Sequence, residues 1–97
     1  DMALFNFTKS ILNNKPIRNT ISMTGETNLR GKITIIGGLD SKILGSIRAG
    51  IKTILYPKQN QEDFDEFLEK YQDSIRLDEM KFHPVDTIQE AMKYLFD

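Results

Sequence analysis

The chain has 97 residues, 39% of them hydrophobic and 9% aromatic, and thirteen Lys and Arg against fourteen Asp and Glu leave a net charge of −1. That length fits one small domain or a fragment of a larger one, and the balanced charge excludes binding driven by bulk attraction to phosphates or to an anionic membrane surface. The absence of cysteine excludes a disulfide framework, a thiolate zinc site and a cysteine nucleophile; the single histidine, His83, leaves no histidine cluster for a metal, and no apolar run approaches the roughly 20 residues of a membrane span.

In chain order, Leu4, Thr8, Ile11 and Leu12 recur at helical spacing, with Phe5 and Phe7 widening the face, so a first helix is expected up to Asn13-Asn14-Lys15-Pro16. This apolar pattern starts at Asp1 without a polar lead-in or a cap, which predicts that structure precedes it. Asn19 to Met23 alternates and reads as a strand, interrupted by Thr24-Gly25-Glu26. Asn28 to Gly31 reads as a turn and Lys32 to Ile36 as a second strand, antiparallel to the first. Gly37-Gly38 stops it. A helix from about Leu39 to Ala49 carries Ile43, Leu44 and Ile47 on its apolar side, with Gly50 as its C-terminal glycine.

Ile51 to Tyr56 is a compact apolar strand ended by Pro57. Asn60 stands where an N-cap belongs, and Phe64, Phe67, Leu68 and Tyr71 follow at the i, i+3, i+4, i+7 spacing of a helix. Ile75 to Phe82 reads as an edge strand broken by His83-Pro84. Asp86 with Gln89 resembles a capping box, and Ile88, Ala91, Met92 and Leu95 mark a last helical face. The order α, β, β, α, β, α, β, α, with no repeat, low-complexity segment or linker, predicts one unit over residues 1–97. Its expected class is α/β (α+β): a small mixed sheet with covering helices.

Chemistry concentrates at Gly37-Gly38-Leu39-Asp40-Ser41-Lys42, a strand-to-helix turn with a lysine one turn inside the helix. Three readings stand. Glycines before a helix can admit an anion to its N-terminal amides, although the Gly-Lys-Ser/Thr ending of a phosphate loop is missing. Alternatively, the positive helix terminus favours a neutral amine at Lys42, which shares its side of the helix with Ser46 and Ala49 and could act as a general base. Or Lys42 is a solvated surface lysine. Ser10, Ser22, Ser41, Ser46 and Ser74 include no Gly-x-Ser-x-Gly elbow and read as structural; Ser41 projects roughly 100° away from its neighbour Lys42. The acidic run Glu62-Asp63-Asp65-Glu66-Glu69 reads as a solvated face, and His83 as a loop or edge residue. The chain thus offers a candidate base and no convincing nucleophile.

Met23-Thr24-Gly25-Glu26-Thr27-Asn28-Leu29-Arg30-Gly31, Ile36-Gly37-Gly38-Leu39-Asp40-Ser41-Lys42, Arg48-Ala49-Gly50-Ile51-Lys52 and Tyr56-Pro57-Lys58-Gln59-Asn60, followed by His83-Pro84-Val85 and a final helix, closely resemble the Lon protease proteolytic domain. The resemblance covers essentially the whole chain as the C-terminal half of that domain. It implies the Lon proteolytic-domain fold, of the ribosomal protein S5 domain 2-like type. It also implies an ATP-dependent serine endopeptidase with a Ser-Lys dyad that degrades unfolded or damaged proteins. Lys42 occupies the position of the dyad lysine in Gly-Gly-x-x-x-Lys. Thr24, in Met-Thr-Gly-Glu, occupies that of the threonine that holds the lysine amine.

By the same resemblance the nucleophilic serine belongs to a Pro-Lys-Asp-Gly-Pro-Ser-Ala-Gly-like segment and is expected two residues before Asp1. The 97 residues alone are then expected to be inactive. Asp1 aligns with the family's glycine two residues after that serine, and Asp40-Ser41 replace a charged pair common in this turn. No cofactor is expected in this chain, ATP and Mg belonging to an ATPase region upstream. The implied partners are unfolded protein substrates and further copies in a hexameric ring, with neither membrane nor nucleic acid indicated; the implied compartment is bacterial cytoplasm or mitochondrial matrix. A reading from another class is a non-catalytic Lon-like assembly or binding module.

Overall fold

The computed structural model describes residues 2–9 and 21–96. Strands β1 (Met2–Lys9), β2 (Ile21–Asn28) and β3 (Ile33–Thr34) lead to helix α1 (Leu39–Arg48). Strand β4 (Thr53–Pro57), helix α2 (Gln61–Tyr71), strand β5 (Lys81–Val85) and helix α3 (Ile88–Phe96) follow. The sheet order is β1-β2-β4-β5, with β3 also paired to β2. β1 and β3 run antiparallel to β2, whereas β4 and β5 continue parallel. This is the mixed sheet with covering helices that the element order implied.

Alternation along β4 separates two cores, because successive strand side chains point to opposite faces. Ile54 and Tyr56 join Leu39 and Ile43 of α1 and Phe64 and Phe67 of α2 on one face. Leu55 joins Met23, Ile33, Val85 and Ala91 of α3 on the other. Phe64 links the first core: its ring centroid lies 4.3 Å from Tyr56 and 4.9 Å from Phe82. Helix α2 forms where its apolar spacing predicts, with Phe64 and Phe67 buried.

Four sequence expectations are corrected. The first element is a strand and not a helix: Met2–Lys9 pairs residue by residue with β2, from Met2 opposite Asn28 to Lys9 opposite Ile21. Ala3, Phe5 and Phe7 alternate with Leu4, Asn6 and Thr8, so a period of two competed with the helical spacing and long-range pairing decided between them. The expected stop at Asn13 to Pro16 lies outside the described residues. The second correction is that Thr24-Gly25-Glu26 does not interrupt β2. Opposite Asn6, Phe5 and Leu4, this stretch stays extended because β1 pairs along its full length.

The third correction concerns Ile75 to Phe82, where a single helical turn at Leu77–Glu79 precedes a later strand. That strand continues through His83 and Pro84 because it lies at the end of the sheet order, where a missing amide costs no ladder bond. Fourth, the capping box falls one residue later. The Thr87 hydroxyl accepts the Glu90 amide at 3.2 Å, and the Glu90 carboxylate accepts the Thr87 amide at 3.1 Å.

Other expectations hold. Asn28 caps the β2–β3 turn by accepting the amides of Arg30 and Lys32 at 2.9 and 3.1 Å. Gly50, at φ +83°, ends α1. Its amide donates to Ile47 at 3.0 Å and the Ile51 amide to Ser46 at 3.0 Å, the double closure that a left-handed residue permits.

His83 sits in β5 as an edge residue, its ring stacked on Tyr94 of α3 at 4.4 Å. Burial first, and Lys81 second, hold its pKa below the ordinary 6.5. The unfolded chain then binds a proton more readily than the folded one. Stability due to this residue is therefore present at neutral pH, falls as pH drops through about 6.5, and levels off below the folded-state value. The ring is only partly buried, so the expected loss is small. Urea midpoints of wild type and His83→Gln at about pH 7.5 and 5 should show a shallower pH slope in the variant. Equal slopes would remove His83 from the pH response.

Candidate functional site

β2 and α1 bring four polar side chains to one cleft. Ser22 and Thr24 are two residues apart on β2 and so share the face that meets α1. Lys42 and Ser46 are four apart on α1 and share one stripe of the helix. Together with Ser41, Gly45, Ala49 and Ile51 they line a cleft of about 290 Å³. Ser22 and Thr24 are buried, Ser46 is half-buried, and Lys42 is exposed. A hydrogen bond between side chains crosses the cleft, joining Ser22 Oγ and Ser46 Oγ at 3.1 Å.

Two features set the direction of α1, and with it the place of Lys42. Gly38 takes a left-handed conformation, φ +71° and ψ 32°, which an L side chain adopts only with strain. Its carbonyl accepts the Lys42 amide at 3.2 Å and opens the helix. Asn60, fully buried, holds the segment before it: its Oδ1 accepts the Ile36 amide at 3.0 Å, and its Nδ2 donates to the Ile36 carbonyl at 2.8 Å. Nδ2 also donates to Asp63 Oδ2 at 2.8 Å. The residue expected as a helix cap thus spends its side chain across the fold, standing in for a strand partner of Ile36.

The Gly37-Gly38 turn opens on the other side to a larger cavity of about 340 Å³, walled by Phe67 and Tyr71 and by Asp40, Asp63 and Glu66. Three carboxylates against Lys70, which also lines this cavity, leave it net negative and oppose the positive helix terminus, so the electrostatics there work against an anion. Asp40 Oδ1 accepts the Ser41 amide at 2.9 Å, occupying one of the donors an anion would need. Among the described residues no group of three or more His, Cys, Asp and Glu is placed to hold a metal ion. No helix there is long and apolar enough to cross a membrane.

The structure therefore puts Thr24 and Lys42 in one cleft, although 18 positions separate them in the chain. Ser41, expected to point away from Lys42, also lines it. Ser22 and Ser46 were missed as a pair. The available signals were their spacings, two from Thr24 and four from Lys42, which need only the packing of α1 on β2 to meet. His83 lies in β5 and contributes nothing to the cleft lining.

Comparison with known proteins identifies the family. The profile of the Lon protease C-terminal proteolytic domain matches residues 2–97. The Lon protease of Haemophilus influenzae is 40% identical over 88 residues, 91% of this chain and 10% of that protein. That of Metamycoplasma arthritidis is 43% identical over 88 residues, again 91% of this chain and 10% of the relative. The Neorickettsia sennetsu protein is 36% identical over 85 residues, 88% of this chain and 10% of its own length. The chain thus spans about a tenth of the length of the relatives it matches. With a match from one end to the other and the Met-Thr-Gly-Glu and Gly-Gly-x-x-x-Lys segments facing each other across one cleft, this chain belongs to the Lon protease C-terminal proteolytic domain family.

Proposed function

We propose that this chain supplies the base of a Ser-Lys dyad in a Lon-type, ATP-dependent serine endopeptidase acting on unfolded proteins. The observation that supports it is the meeting of Thr24 and Lys42 in the cleft between β2 and α1. In this reading Thr24 holds the lysine amine by a hydrogen bond. Neutral Lys42 takes the proton of a serine hydroxyl carried by the segment preceding Asp1, and the oxygen attacks a peptide carbonyl. Lys42, now an ammonium, returns the proton to the leaving amine. Water, deprotonated in the same way, then releases the acyl group and regenerates the serine. Backbone amides around that serine would stabilise the oxyanion.

The chain acts here as the C-terminal half of a proteolytic domain and by itself hydrolyses nothing. ATP and Mg bind in a separate ATPase region that unfolds and feeds the substrate. The assembly is a hexameric ring, and for a bacterial source the compartment is the cytoplasm. A serine-directed fluorophosphonate tests the nucleophile in the full-length protein. Labelling of a serine upstream of Asp1, in step with loss of hydrolysis of an unfolded protein such as casein, is expected. Labelling of Ser22, Ser41 or Ser46 would move the nucleophile into this chain, and hydrolysis indifferent to a fully reacted serine would sink the dyad.

A further inference from the structure

The cleft has two levels. Going from Thr24 to Ser22 descends β2 by two residues, about 6.8 Å; going from Lys42 to Ser46 descends α1 by four, about 6 Å. The two steps match because α1 runs back along the sheet between β2 and the parallel strand β4. Thr24 and Lys42 form the upper level and Ser22 and Ser46 the lower. The lower level is closed by a direct bond between hydroxyls, 3.1 Å from Ser22 Oγ to Ser46 Oγ.

That bond is an odd choice if the cleft needs only to be filled. Two alanines would leave much the same shape without desolvating two hydroxyls, and a neutral hydrogen bond yields little net stability. What the hydroxyls add is direction: they fix the height of α1 above β2 at a point one helical turn from the dyad lysine. A lysine reaches its target through four rotatable carbons, so a small change in helix height is carried to its amine. Catalytic geometry is sensitive on that scale, a misplacement of about 1 Å costing on the order of 100-fold in rate.

We infer that Ser22 and Ser46 are positioning residues: their hydroxyl bond sets the spacing of α1 over β2 that brings Lys42 Nζ to Thr24. The inference rests on the dyad role proposed for Lys42. Ser22→Ala, Ser46→Ala, the double variant and Ser22→Thr are compared in the full-length protein with a peptide substrate, together with Lys42→Ala. Each single alanine variant should lower kcat on the order of 10-fold with KM unchanged within about 2-fold. The double variant should be no slower than either single one, since each already breaks the same bond. Ser22→Thr, which keeps the hydroxyl in a strand position, should recover most of the loss.

Wild-type kcat in both alanine variants, or losses that multiply in the double, would overturn the inference. Lys42→Ala separates the two layers of the argument. An inactive Lys42→Ala beside fully active serine variants discards the brace alone, whereas an active Lys42→Ala discards the dyad role. Should Ser22→Ala fail to fold, the half-buried Ser46→Ala decides the matter, with its melting midpoint as the control.

Discussion

Lys42→Ala is expected to reduce peptide hydrolysis by the full-length protein on the order of 1,000-fold or more while leaving the fold in place. A general base contributes about 100- to 10,000-fold on its own. Members of a nucleophile–base unit act together, so losing one removes most of what the pair supplies. The structure makes a clean separation of activity from stability possible. Helix α1 is anchored by Leu39 and Ile43, which are 4% and 1% exposed, whereas Lys42 projects from the other side into the cleft. Alanine is the best helix former, so the backbone that carries the site loses nothing by the change.

Lys42→Arg sharpens the result. Arginine keeps the positive charge and the length but does not give up its proton in a protein, so it preserves any electrostatic role and abolishes the basic one. Initial rates at saturating peptide, read beside melting midpoints, should find both variants folded and both inactive. An arginine variant with substantial activity would show that Lys42 supplies charge and not proton transfer. An alanine variant within 10-fold of wild type would reduce the kinship with Lon proteases to a matter of fold.

What the sequence disclosed and what it hid divide along the range of the interactions. Helix α2, strand β4 and the Gly50 terminus of α1 are written in residues a few positions apart, and they appear where periodicity and turn chemistry place them. β1 is different. In the sequence, the spacing of Leu4, Thr8, Ile11 and Leu12 imitates a helix, and only β2, beginning at Ile21, supplies the partner that makes Met2–Lys9 a strand. The same pairing keeps Thr24-Gly25-Glu26 extended where local composition argued for a break.

The site divides likewise. Lys42 was visible as a lysine one turn inside a helix after two glycines, one of three open readings. Thr24 entered through the resemblance to a protease family. The bond between Ser22 and Ser46 could not be read directly, because 24 positions separate them and nothing local says which face of β2 the helix α1 covers. Asn60 shows how a correct local signal can hide a longer reach. Its place before α2 matches an N-cap, yet its side chain makes no cap bond and turns instead to Ile36.

Asn60 is accordingly where the largest stability effect is expected. Asn60→Ala removes the partners of both the Ile36 amide and the Ile36 carbonyl in a buried place, at about 1–3 kcal/mol for each group left unpaired. The expected total, about 3–5 kcal/mol, is a large part of the 5–15 kcal/mol that holds a typical domain together. Asn60→Asp distinguishes the hydrogen bonds from the mere volume of the side chain. The carboxylate can still accept the Ile36 amide, but it cannot donate to the Ile36 carbonyl, and it faces Asp63 where an amide now donates at 2.8 Å.

Burial and the neighbouring carboxylate both favour the protonated form of the introduced acid, so its pKa in the folded state should lie above the value of about 3.9 in the unfolded chain. The folded state then binds the extra proton more readily. The deficit of Asn60→Asp relative to wild type is largest at neutral pH and shrinks as pH falls through the raised value, when a carboxyl O–H can again donate. Denaturant titrations of the wild type and both variants at about pH 7 and 5 measure this directly. A deficit independent of pH in Asn60→Asp, or a loss below about 1 kcal/mol in Asn60→Ala, would mean that Ile36 finds other partners. The segment leading to Gly38 would then owe its course to packing, and the path from β3 into α1 that presents Lys42 to the cleft would not depend on this one amide.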